Sequence, residues 1–192
     1  KSLMHNSQFA DFCFDTGSFD IAEECYLKAI EAAEQLKKES SAMVSKGNLA
    51  NVYKVWGRMD NAYKTHEELL EYFRQKKDRG NESVALHQLA MIEQLRGNYD
   101  RASELYGQSL KIKHELGDKL GIAMSMGALG TLFEKREQFE DALKHFLKAA
   151  HLFHQLGSPY EKQALKDTAR TVQKLGEERV NKILAEISDE IK

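Results

Sequence analysis

Two histidines three residues apart, His151 and His154, could turn their imidazoles to one side of a helix and share a metal ion. His145 falls in the same stretch, but no further ligand stands near, so the set reads as surface histidines with no metal bound. Arg74, Lys76, Lys77 and Arg79 could hold an anion or a nucleic-acid backbone. Their place at the end of a helical stretch, where cations complement the dipole, is the simpler account. Cys13 and Cys25 are too few for a disulfide framework and sit in apolar patterns. They read as reduced core thiols, which goes with a cytoplasmic setting. Asn81-Glu82-Ser83 matches a glycosylation acceptor that matters only in a secreted chain. Asn48 and Asn51 bracket Leu49-Ala50, and an amide both donates and accepts. No P-loop, dinucleotide fingerprint, HExxH helix, EF-hand loop or paired CxxC occurs. No residue set supplies a nucleophile, a base and an electrophilic stabiliser together, so the chain reads as no enzyme, with no cofactor.

The composition limits what can position these side chains. Among 192 residues, Lys plus Arg total 28 and Asp plus Glu 30, for a net charge of −2. That balance argues against a nucleic-acid partner, which needs a basic face. With 42% hydrophobic residues the chain can bury a core. A single proline favours long uninterrupted helices. No apolar run approaches the ~18 residues needed to cross a bilayer, so no membrane partner is expected. The chain begins at Lys1 without a Met and is expected to be a segment of a longer protein.

The organisation is repetitive. Gly17-Ser18-Phe19-Asp20-Ile21-Ala22 returns forty residues later as Gly57-Arg58-Met59-Asp60-Asn61-Ala62. Gly97-Asn98-Tyr99-Asp100-Arg101-Ala102 and Glu137-Gln138-Phe139-Glu140-Asp141-Ala142 continue the series. Before each turn lies an apolar–small pair, Phe9-Ala10, Leu49-Ala50, Leu89-Ala90 and Leu129-Gly130. Four residues after each Ala stand Tyr26, His66, Tyr106 and Phe146, and His66 reads there as a packing histidine. Offsets of three and four predict helices: first members over 2–15, 41–56, 81–96 and 120–136, second members over 19–36, 59–77, 99–116 and 139–156. The acids at 20, 60, 100 and 140 fall in first turns, where carboxylates meet unpaired N–H groups. Gly117 and Gly157 read as left-handed helix ends, and Pro159 as the start of a new helix. The small residues allow close helix crossings, and one pair cannot hide its apolar face without stacked neighbours.

This spacing resembles the tetratricopeptide repeat, with a forty-residue unit in place of the usual 34. The lengthened form is similar to repeats of kinesin light chain, of LGN-type polarity adaptors and of prokaryotic arrays attached to signalling ATPases or proteases. The resemblance implies an all-α, right-handed superhelical solenoid of stacked antiparallel helix pairs. The pairs are expected at about 1–38, 39–78, 79–118 and 119–156, with 157–192 as a degenerate fifth pair. Leu165, Ala169, Val172 and Leu175 keep a helical apolar spacing there, Arg170 stands where the small residue belongs, and Val180, Ile183, Leu184, Ile187 and Ile191 form a capping stripe. The rival reading makes that stripe the interface of a homodimer through the C-terminal helix.

In this family the first helices line a concave groove. Repeat 1 would contribute Met4, Ser7, Gln8, Asp11 and Phe14. Repeat 2 would add Val44, Gly47, Asn48, Asn51, Lys54 and Val55. Repeat 3 would add Val84, His87, Gln88, Met91, Gln94 and Leu95, and repeat 4 Met124, Gly127, Ala128, Thr131, Glu134 and Lys135. In similar arrays, asparagines placed as Asn48 and Asn51 are clamp the main chain of an extended peptide. The expected function is a non-catalytic module that binds a protein or peptide ligand in this groove. The alternatives are a regulatory or sensor segment of a multidomain signalling ATPase or protease, and a homotypic assembly module.

Overall fold

Every twentieth residue from position 17 to position 157 takes a left-handed backbone conformation, and each ends a helix. Five of these residues are glycines, Gly17, Gly57, Gly97, Gly117 and Gly157, with φ between 59° and 82°. The other three are Lys37, Lys77 and Glu137, at φ 55°, 56° and 60°. All eight close in one way: the amide of the next residue donates to the carbonyl five residues before it, as Ser18 N does to Cys13 O at 2.8 Å. A side chain in this conformation costs about 1–2 kcal/mol, part of which glycine's extra freedom in the unfolded chain offsets. Lys37→Gly, Lys77→Gly and Glu137→Gly are therefore each expected to stabilise the protein by about 0.5 kcal/mol, read as a higher urea midpoint. A lower midpoint in all three would contradict the strain.

The computed structural model describes residues 2–191, and the side chains of residues 6–188. Among the described residues it is all-α: α1 (Ser2–Asp15), α2 (Phe19–Gln35), α3 (Glu39–Val55), α4 (Met59–Gln75), α5 (Arg79–Leu95), α6 (Tyr99–Leu116), α7 (Lys119–Lys135), α8 (Phe139–Gln155), α9 (Glu161–Val172) and α10 (Glu177–Ile191). The first members of pairs two and three begin at Glu39 and Arg79, two residues before the spacing predicts, and in pair two Lys38, the residue after the left-handed turn, already serves as N-cap. The acids Asp20, Asp60, Asp100 and Glu140 do occupy first turns.

The chain divides into two compact units, Lys1–Ile92 and Glu93–Lys192. In the first, α2 packs on α1, α3 on α2 and α4 on α3. Its core joins Cys13, Tyr26, Ile30, Leu49, Val52, Tyr53 and Ile92, with Phe19 and Trp56 against it. In the second, α7 packs on α6, α8 on α7, and both α9 and α10 on α8. The crossing residues Ala10, Ala50, Ala90, Ala22, Ala62, Ala102 and Ala142 are fully buried at 0% exposure, as close helix approach requires. Cys13 is buried, Cys25 half-buried, and both are free thiols.

The last pair departs from the period. Pro159 lies in a turn rather than opening a helix, and α9 starts only at Glu161. Its inward face is Ala164 and Thr171, each 39 residues after its counterpart, Ser125 and Leu132. Leu165 and Ala169 are exposed. In the shifted register Ala169, not Arg170, aligns with Gly130, although it is exposed and makes no buried crossing, and Arg170 reaches Glu134 with two bonds of 2.8 and 2.6 Å. On α10, Ile183 and Ile187 are buried at 3% exposure, in a helix packed on α8, whereas Leu184 of the predicted stripe is exposed because it falls one residue round the helix from the packed face. The side chains of Met4 and Ile191 lie outside the described residues.

Candidate functional site

Within the first unit α3 turns Leu49 and Ala50 inward, which leaves Val44, Gly47, Asn48 and Asn51 along one other face at helical spacing. α5 contributes Val84, Ala85 and Gln88, and α4 contributes His66, Leu69 and Phe73. Together they line a cavity of about 580 Å³. Three predicted groove amides, Asn48, Asn51 and Gln88, thus meet around one space with an apolar wall. Lys54, one turn beyond Asn51, is half-buried and donates to Gln88 Oε1 at 2.8 Å. Burial pushes its ammonium pKa down.

The rim carries charges that are occupied. Lys76 Nζ lies 2.8 Å from Glu39, and the Tyr72 hydroxyl donates to the same carboxylate at 3.0 Å. These hydrogen bonds, the lysine's first, hold the Glu39 carboxyl below its ordinary range. Asp78 accepts from the Asn81 amide N–H at 3.0 Å and from its side chain at 2.7 Å, which lowers the Asp78 pKa. The basic cluster read from the sequence is dispersed in this way: Arg74 and Arg79 share Glu82, and Lys76 goes to Glu39.

Other predicted groove residues fall elsewhere. His87 is only 8% exposed and does not line the cavity, although its counterpart Gly47 does. Val55 is exposed at the end of α3, away from the lining. Met91 is half-buried. Gln94 accepts from the Tyr106 hydroxyl at 3.0 Å. In the second unit Thr131 donates to the Gly127 carbonyl at 3.1 Å, and Lys135 is exposed at the end of α7. Arg170 holds the Glu134 carboxyl below its usual range. The two histidines whose spacing would let them share a metal ion have separate partners, His154 Nδ1 with Glu161 at 2.9 Å and His151 with Gln155 at 2.8 Å.

His66 was legible as a core residue but not as part of the site. At the equivalent position the Tyr26 hydroxyl donates to Asp11, and the Tyr106 hydroxyl to Gln94. Phe146 needs no partner and lies against Gly130. His66 is 4% exposed, lines the cavity, and neither ring nitrogen has a hydrogen-bond partner among the described residues. Burial, with the Lys54 charge second, pushes its pKa down to about 4. The sequence signal was the series Tyr, His, Tyr, Phe at one position, in which only the imidazole carries buried nitrogens too short to span to the next helix.

Paired helices stacked on small-residue crossings, with amides facing a cleft between successive first helices, define a helical-repeat interaction module. A tetratricopeptide repeat model matches residues 40–115 and 83–155, and a second tetratricopeptide repeat model matches 7–36. The chain belongs to the tetratricopeptide repeat family, whose members serve as protein–protein interaction modules. No curated protein matches the sequence. Among solved structures, BtubC (BKLC) from P. vanneervenii is similar at 23% identity, over 95% of this chain and 80% of that one, with a TM-score of 0.68. A Rap protein complexed with Competence and Sporulation Factor is similar at 16% identity, over 97% of this chain and 54% of that one, with a TM-score of 0.80. A signal transduction ATPase with numerous domains and a tetratricopeptide repeat sensor, from Pyrococcus horikoshii, is similar at 19% identity, over 98% of this chain and 30% of that one, with a TM-score of 0.79. These likenesses show the fold: an all-α repeat solenoid. Among the described residues no helix is long and apolar enough to cross a membrane.

Proposed function

We propose that the chain is a non-catalytic module that holds a peptide or helical segment of a partner protein in the α3–α5 cleft. The observation that supports this most is the convergence of Asn48, Asn51 and Gln88 on one apolar-walled cavity of about 580 Å³. Amides pair with a main chain whatever its side chains, while Met43, Val44, Leu69 and Val84 offer contact to apolar anchors. The Rap protein structure with Competence and Sporulation Factor lends the reading a parallel from a protein of the same fold. Peptides selected from a displayed random library on the intact chain supply the probe. The triple variant Asn48→Ala, Asn51→Ala, Gln88→Ala is expected to bind them at least tenfold more weakly, with its urea midpoint near that of the parent. Unchanged affinity in calorimetric titration removes the cleft from the function.

A further inference from the structure

The stacking inside the first unit shows what the outer face of α1 is built to meet. Leu49 and Val52 of α3 join Tyr26 and Ile30 of α2 in one core, at 3% and 1% exposure. Their counterparts in the later first helices, Leu89 with Ile92 and Leu129 with Leu132, are buried as well. Forty residues before Leu49 and Val52 stand Phe9 and Phe12, and these are 52% and 61% exposed. Their rings stack on each other with 6.4 Å between centroids. Ile21 of α2 is exposed too, where the later pairs carry Asn61, Arg101 and Asp141. The face keeps, and extends, the apolar half of a stacking interface that nothing covers among the described residues.

The charged half has changed sign. Where α3 and α4 stack on α2, Lys46 reaches Glu34 at 3.4 Å and Arg58 reaches Glu23 at 3.0 Å, so cations meet an acidic helix. On α1 and its turn the same places hold Asn6 and Ser18, and on α2 Glu24 stands where α4 has Lys64. The exposed charges on this side are Asp15, Asp20 and Glu24, and the one nearby cation, Lys28, is held by Glu24 at 2.6 Å. Such a face repels a helix as acidic as α2, and it repels its own copy.

We propose that this face docks a basic amphipathic helix of a partner protein. Aliphatic residues at i and i+4 seat on Phe9, Phe12 and Ile21, and Lys or Arg beside them meet Asp15, Asp20 and Glu24. The spacing is that of Tyr26 and Ile30, which share a core with Leu49 and Val52 one layer on. None of these docking residues lines the α3–α5 cleft, so the inference stands apart from the peptide reading of that cleft.

Two synthetic helical peptides serve as probes, alike in their leucines at i and i+4, with lysine flanks in one and glutamate flanks in the other. Each is titrated into the intact chain by calorimetry. The lysine peptide is expected to bind at least tenfold more tightly than the glutamate peptide, and to weaken as salt is raised. Phe9→Gln with Phe12→Gln should cost the lysine peptide at least tenfold, with the urea midpoint near that of the parent because both rings are exposed. Asp15→Asn with Glu24→Gln alters only exposed side chains and should narrow the preference between the two peptides by about fivefold. Equal affinity for the two peptides, or a lysine peptide indifferent to the loss of both rings, overturns the assignment. So does self-association of the chain in sedimentation that the two ring substitutions abolish, which gives the face to a second copy. A lysine peptide lost instead on Asn48→Ala, Asn51→Ala, Gln88→Ala sits in the cleft and overturns the outer-face site as well.

Discussion

Acidification from pH 7 to pH 4 is expected to remove about 3 kcal/mol of stability through His66 alone. The ordinary imidazole value of 6.5 applies to the unfolded chain, and burial lowers it to about 4 in the fold. Between these values the unfolded state binds the proton and the folded state does not. The stabilisation is therefore complete above 6.5, falls as the pH drops, and is gone below 4. At 4% exposure, solvent screening discounts the figure little. His66→Phe isolates the effect from the carboxylates, because a phenyl ring titrates nothing. The larger Tyr26 and Tyr106 are already fully buried at the equivalent position, so a phenyl ring fits the repeat there. Urea unfolding at pH 7, 6, 5 and 4 should show the parent falling faster than the variant, by about 3 kcal/mol in total across that range. Parallel pH profiles would show that His66 is protonated or solvated in the fold, and would remove the ring from both the cleft and its chemistry.

The same residue marks how far a sequence can be read. Periodicity placed His66 inward because an inward position depends only on helical phase, which the Ala62 crossing fixes. Whether an inward polar ring meets a partner depends on side chains from other helices, and phase does not carry that. Asn48, Asn51 and Gln88 were legible because they share the outward phase of α3 and α5. His87 shows the limit of that argument: Gly47 lines the cavity at its position, but the imidazole at the equivalent place is buried and does not line it. Turns were legible where glycine marks them. Lys37, Lys77 and Glu137 adopt the same conformation because stacking of the flanking helices imposes it against local preference. The register slip at α9 follows Pro159, whose ring cannot continue the hydrogen-bonded turn that the other junctions use.

Gly130→Ala is expected to destabilise the protein by about 2 kcal/mol, although alanine is the better helix former by about 1 kcal/mol. A methyl group built at Gly130 comes within 2.7 Å of two Phe146 ring carbons and 3.1 Å of a third. Phe146 is itself 1% exposed, so its ring is enclosed by protein and does not swing out into solvent. The equivalent crossings accept Ala10, Ala50 and Ala90, so the demand for glycine comes from how Phe146 lies and not from the repeat. Urea midpoints measure the loss. In a Phe146→Leu background the smaller side chain leaves room, and the cost of Gly130→Ala should fall below half its value in the parent, which makes the two sites non-additive. An alanine variant as stable as the parent would mean that the ring slides aside, and the crossing would then tolerate the residue its three counterparts carry. The outcome bears on the repeat as a whole, because a bare aromatic at this position demands a glycine opposite it, whereas a ring with a polar tip demands a partner across the groove.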